Sequence, residues 1–257
     1  MNRLHAEWQR LYLPLTSDDS AVASADAPLA RDGHTRALVL ELARPAEWTR
    51  LGAVWRAVQA ELALPAPGIA VNGRDGSQLW FSLSEPVPLD VGAAFLRALC
   101  ARYLPDVPTE RLRWFPGADA APARVPGLQP ASGRWSAYVA PDLAPIFDED
   151  PWLDRAPGDA AQADLLARLA PTPAADFQRA LAQLMPAPVA AAAAAKLAPG
   201  TGTPPGAPAG PIGPIGPFSA PRDFLQAVMN DPAVPLALRI EAARALLGAG
   251  GGTARPD

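Results

Sequence analysis

The chain has 257 residues, a formal net charge of -4 and a sequence pI of about 5.2, which excludes a broad basic surface that binds polyanions non-specifically. Its 32 prolines and 20 glycines are concentrated late in the chain, so the expected organisation is a folded N-terminal part with appendages. With Cys100 as the one cysteine and no apolar run of about 18 residues, neither a disulfide framework, nor a cysteine metal site, nor a membrane span is expected, and the reading is a cytoplasmic protein.

In chain order, Leu4, Trp8 and Leu11 predict a short amphipathic helix over residues 2–13. Residues 16–35 are small and polar and read as a loop. Arg36 to Leu42 read as a buried strand with Leu38, Leu40 and Leu42 on one face and Val39 and Glu41 on the other. Pro45 is read as the opening of a helix in which Trp48, Leu51, Trp55, Val58 and Leu62 recur at helical spacing. Next, Ile69 to Val71 and Leu79 to Leu83 flank Asn72-Gly73 and Asp75-Gly76, the dipeptides that favour tight hairpins. Alternation along the second of these strands sends Leu79, Phe81 and Leu83 to the core and turns Gln78, Trp80 and Ser82 toward a cleft or solvent.

Asp90 is read as the N-cap of a further helix that buries Phe95, Leu96, Leu99 and Tyr103 and stops at Pro105. RLRWF at 111–115 and RWSAYVA at 134–140 each add a strand, and short helices are expected at Pro151, near Ala160 and at Pro173. The fold class that follows is α+β, a small antiparallel or mixed sheet with two packed helices and then short helices, over residues 1–185. An Ala/Pro/Gly-rich linker spans 186–220, a helical hairpin 221–248 and a tail 249–257. Phe224, Leu225, Val228, Met229, Ile240 and Leu247 form the apolar stripe of that hairpin, which reads as a module that docks on a partner.

The turn NGRDG carries the binding candidates. GxxG segments hold phosphates through backbone N–H groups, Arg74 at the tip suits a phosphate, and Trp80 beside Gln78 suits a stacked base. The acidic run Asp142, Asp148, Glu149, Asp150 and Asp154 matches no calcium loop and reads as solvated, with Asp150 as a helix cap. His5 and His34 have no spaced partner that makes a ligand set or a triad.

From Leu38 to Leu104 the apolar strand ending in an acidic residue, the helix, GxxGxQLWFSLSEPVPL and the second helix resemble the catalytic half of the archaeo-eukaryotic primase family, with an RRM-like sheet. That resemblance implies two divalent metals held by a carboxylate pair on the first strand, a His in the hairpin and a further Asp. Carried over, the pair falls on Val39 and Glu41 and the His on Gln78, so Glu41 is the one catalytic candidate and no cofactor is expected. Residues 223–247 resemble a tail motif of phage terminase small subunits and related mobile-element proteins.

The reading is therefore a non-catalytic nucleic-acid-associated protein of a bacterial prophage or mobile element. Its nucleic-acid-binding residues are Arg74, Gln78 and Trp80, its partners a single strand of nucleic acid and a replication or packaging protein bound through residues 221–248. The alternatives are an active metal-dependent primase- or polymerase-type nucleotidyltransferase, which needs a divalent metal, and a protein-only accessory scaffold.

Overall fold

A computed structural model describes residues 2–14, 29–117, 121–185 and 196–197. The chain divides into two units, Met1–Pro199 and Gly200–Asp257. The expected hairpin with Phe224, Leu225, Val228, Met229, Ile240 and Leu247 lies outside the described residues, as do most of the expected linker and the tail.

The first unit is an α+β domain. Its described strands are β1 (Ala30–Arg31), β2 (His34–Ala43), β3 (Gly68–Val71), β4 (Gly76–Pro88), β5 (Leu112–Phe115), β6 (Gly127–Gln129) and β7 (Arg134–Val139). They pair antiparallel in the order β1-β2-β4-β3-β7-β6, with β5 added on β2. The described helices are α1 (Arg3–Tyr12), α2 (Trp48–Ala60), α3 (Leu89–Tyr103), α4 (Asp159–Ala167) and α5 (Ala174–Leu184).

Strand alternation divides the apolar residues between two cores, one on each face of the sheet. Leu38, Leu40 and Leu42 of β2 pack with Leu79, Phe81 and Leu83 of β4 against Leu51, Val54 and Val58 of α2, Phe95, Leu96 and Leu99 of α3 and Phe177 of α5. Gly92 lets α3 come close to the sheet, because a Cβ there would lie 2.6 Å from Leu38 Cδ2. The opposite core joins Leu4, Trp8, Leu11 and Tyr12 of α1 and Leu166 of α4 to Val39, Trp80 and Tyr138.

This second core corrects the reading of Trp80. The residue does point away from Leu79 and Phe81, yet it is 0% exposed because α1 and α4 cover that face. Its ring sits 5.2 Å from Tyr12, 6.4 Å from Trp8 and 6.1 Å from Tyr138, an aromatic box that leaves no face for a base. Trp48 is buried as expected, and Trp55 packs half-buried against the first core with its Nε1–H donated to Pro67 O at 3.0 Å.

Arg36 ties α1 to the sheet at an irregularity in the β2–β4 register between Thr35 and Ala37. Its guanidinium is buried and donates to Leu83 O, Leu13 O and Arg10 O at 2.9 to 3.0 Å. Two of those carbonyls belong to the C-terminal end of α1, where carbonyls have no helical partner and the helix dipole favours a cation. Burial pulls the Arg36 pKa below the ordinary arginine value, and the neighbouring charge of Arg10 adds to the shift.

Other expectations are revised in detail. After a cis Arg44-Pro45 bond the helix begins at Trp48, not Pro45, and the Trp48 N–H is capped by Asp148 Oδ1 at 2.5 Å, across 100 residues of sequence. Asp90 lies in the first turn of α3, whose N-cap position is Pro88. No helix begins at Pro151, so Asp150 caps none; residues 151–153 run back along β7, where Leu153 and Trp135 exchange backbone hydrogen bonds at 2.8 and 3.0 Å. The helices near Ala160 and Pro173 are α4 and α5.

Candidate functional site

The register places Arg113 of β5, Glu41 of β2 and Gln78 of β4 in one row across three strands. Direct cross-strand partners share a face, so the three side chains project together on the side covered elsewhere by α1 and α4. Val39, opposite both Trp80 and Phe115, forms the apolar row beside them. Next to β5 that face opens into a cavity of about 380 Å³ lined by Val39, Glu41, Arg74, Arg113, Trp114 and Phe115 together with residues 121–123.

Polar contacts run inward from this cavity. Glu41 is 6% exposed, and its Oε2 accepts from Gln78 Nε2 at 2.6 Å, while Trp80 Nε1 donates to Gln78 Oε1 at 2.8 Å. Arg113 Nη1 stands 3.5 Å from Glu41 Oε1, an oxygen that is buried and accepts no hydrogen bond. Gln78 lies behind Glu41 and is absent from the cavity wall, so it positions the carboxylate and makes no outward contact.

Arg74 is exposed and lines the same cavity, as a binding residue must, but the turn that carries it is no phosphate nest. Asn72 Oδ1 accepts from the backbone N–H groups of Arg74, Asp75 and Gly76 at 2.8 to 3.1 Å, and the Gly73 N–H donates to Pro151 O at 3.0 Å. Every amide that GxxG chemistry would offer to a phosphate is thus occupied by the protein. Gly73 itself has φ +78, and a Cβ there would lie 2.8 Å from Ser136 N, so the position requires glycine for the backbone and for the approach of β7. Asn72→Ala is expected to cost about 1–3 kcal/mol in urea denaturation, because three amides lose their acceptor and Asp75 Oδ1 loses the Asn72 Nδ2–H donor 3.1 Å away. An Asn72→Ala variant as stable as wild type would contradict the role given to Oδ1.

The residues in the row do not fit the two-metal site that the primase resemblance implies. Such a site needs several oxygen ligands converging on two cations. Here Val39 offers none, the Gln78 amide turns its NH2 group to the one carboxylate, and a guanidinium stands beside the remaining oxygen. Among the described residues no group of three or more His, Cys, Asp and Glu side chains is placed to hold a metal. Cys100 faces the first core, where burial pushes its thiol up to about 12, far from a reactive thiolate.

Two residues that the sequence did not single out complete the site. Arg113 and Phe115 sit in the predicted strand RLRWF, but only the pairing of β5 with β2 brings Arg113 to Glu41 and Phe115 to Val39. Trp114, packed on the first core, lines a second cavity of about 730 Å³ with Arg44, Asp90, Arg97 and Glu110. No protein family matches the chain, and no curated protein does. Among the described residues no helix is long and apolar enough to cross a membrane.

Proposed function

We infer that the chain is a non-catalytic nucleic-acid-associated protein in which a single strand lies across the open end of the sheet, at the cavity beside β5. The observation that carries this reading is the convergence of Arg74 and Arg113 on one open cavity whose apolar wall is Val39 and Phe115. The arginines attract phosphate, and Phe115, on the same face as Arg113, supplies an aromatic ring in the cavity wall. Arg74 keeps the role expected from the sequence, whereas Phe115 takes the stacking role and Gln78 acts through Glu41. Local cationic groups on an acidic chain favour a short footprint over a long electrostatic track.

The primase likeness stays a proposal, supported by the register that pairs Glu41 with Gln78. The prophage or mobile-element setting, and a replication or packaging protein bound through residues 221–248, rest on the sequence resemblances. The proposed compartment is the cytoplasm, in keeping with a lone thiol. A protein-only scaffold is the second reading, favoured by Leu143 and Ile146, which are 47% and 70% exposed beside α2.

Fluorescence anisotropy with a labelled mixed-sequence single-stranded oligonucleotide tests the first reading. Arg74→Ala and Arg113→Ala are each expected to reduce the slope of log affinity against log salt by about one. Phe115→Leu, which removes the ring and keeps an apolar side chain in the second core, is expected to lower affinity at every salt concentration. Absence of wild-type binding even at low salt overturns the reading in favour of the scaffold.

A further inference from the structure

We propose that the bound strand continues past the free edge of β5 into the second cavity, where Trp114 and Arg97 form a further subsite for a base and its phosphate. This rests on the nucleic-acid reading above. Among the described residues β5 pairs with β2 alone, so its outer side is a sheet edge. Alternation turns Arg113 and Phe115 to one face of that strand and Leu112 and Trp114 to the other. Adjacent residues therefore serve two cavities: Phe115 belongs to the second core, and the half-buried Trp114 packs on the first.

The backbone adds a donor on the outer side. Arg44 N–H donates to Asp75 O at 3.0 Å toward β4, while Ala43 O accepts from Arg111 Nε at 3.3 Å toward β5. Backbone groups alternate along an antiparallel strand, so Val39 and Glu41 bond to Phe115 and Arg113, and the N–H of Trp114 points off the edge. Arg97, exposed on α3, and Arg44 supply the cations of the second cavity, and Arg97 has no ion-pair partner among the described residues. Of the two carboxylates in that wall, Asp90 is taken by Lys196, which leaves a positive balance of Arg44 and Arg97 over Glu110. Each side of β5 thus sets an aromatic ring beside a pair of arginines. A ligand that fits both sides repeats a flat ring and an anion at short intervals along one flexible chain. A single strand of nucleic acid has that repeat, and an aromatic platform accepts any base.

Anisotropy titrations of the full chain with a labelled mixed-sequence single strand of about 12 nucleotides, over a range of salt concentrations, test the proposal. Wild-type protein is expected to bind one strand per chain. Arg97→Ala is expected to reduce the slope of log affinity against log salt by about one, and Arg97→Lys to restore it. The double variant Arg74→Ala/Arg97→Ala is expected to lose about two, because both cations act on the same strand. A slope unchanged in Arg97→Ala, or two strands bound per chain, overturns the continuation past β5 and leaves the reading at the first cavity standing. No wild-type binding at low salt overturns both.

Discussion

Replacing Trp80 with alanine is expected to cost about 3–5 kcal/mol, the range for deleting a fully buried large aromatic side chain. The ring is 0% exposed and packs on Tyr12, Trp8 and Tyr138, so little of the void can close. Truncation also takes away the donor that fixes Gln78. Trp55→Ala is expected to cost clearly less, because that ring is only half-buried and its one hydrogen bond, to Pro67 O, is replaceable by water. Against a typical total of about 5–15 kcal/mol, the first substitution removes a large share of the stability. Trp80→Phe keeps much of the ring volume and separates packing from the hydrogen bond to Gln78. Denaturant titrations of the three variants read the order directly, and a Trp55→Ala loss equal to or larger than that of Trp80→Ala would contradict the two-core description.

Arg36→Met is expected to cost about 2–5 kcal/mol. Methionine keeps the apolar stem but leaves Leu83 O, Leu13 O and Arg10 O without their donor in a buried place. Part of that loss is offset, because the buried cation no longer has to be desolvated and no carboxylate is orphaned. Arg36→Lys is not expected to rescue: an ammonium is a compact point charge, and three carbonyls from two elements match a planar fork. Since two of the carbonyls close α1, its amides should lose hydrogen-exchange protection before those of α2 and α3. A lysine variant as stable as wild type, or α1 protection unchanged in Arg36→Met, would contradict the account of this residue as the clasp between α1 and the sheet.

Much of the fold was legible because its signals are local. The alternation in Arg36 to Leu42, the stripe from Trp48 to Leu62 and the Asn-Gly and Asp-Gly pairs each report on a few neighbouring residues, and β2, α2 and the β3–β4 hairpin follow. What was not legible depends on partners far along the chain. Alternation places Trp80 opposite Phe81, but nothing near Trp80 tells that α1, some 70 positions earlier, covers it. The apolar stripe of α1 has a matching ambiguity, since Leu4, Trp8 and Leu11 announce a buried face without naming what it meets. Asp148 capping α2 and Arg113 facing Glu41 are long-range pairings of the same kind.

The site was legible in part. Glu41 and Arg74 were chosen for chemistry that their neighbourhood supports, a carboxylate ending an apolar strand and a cation at a turn, and both line the cavity. Phe115 was passed over because RLRWF carries a single strand's worth of signal and its pairing partner was unknown. A different limit applies to NGRDG. Its glycines do mark a turn, but whether the amides are free depends on the Asn72 side chain, which bends over them.

The most direct measurement is photochemical. An oligonucleotide carrying a halogenated pyrimidine, bound to the full chain at low salt and irradiated, marks the aromatic side chain on which a base rests, and mass spectrometry of the digest locates the adduct. The expected result is an adduct at Phe115, competed by unlabelled strand and lost in Arg113→Ala, with none at Trp80. An adduct confined to Trp135 or Trp152, or none in a complex shown to form, would contradict it.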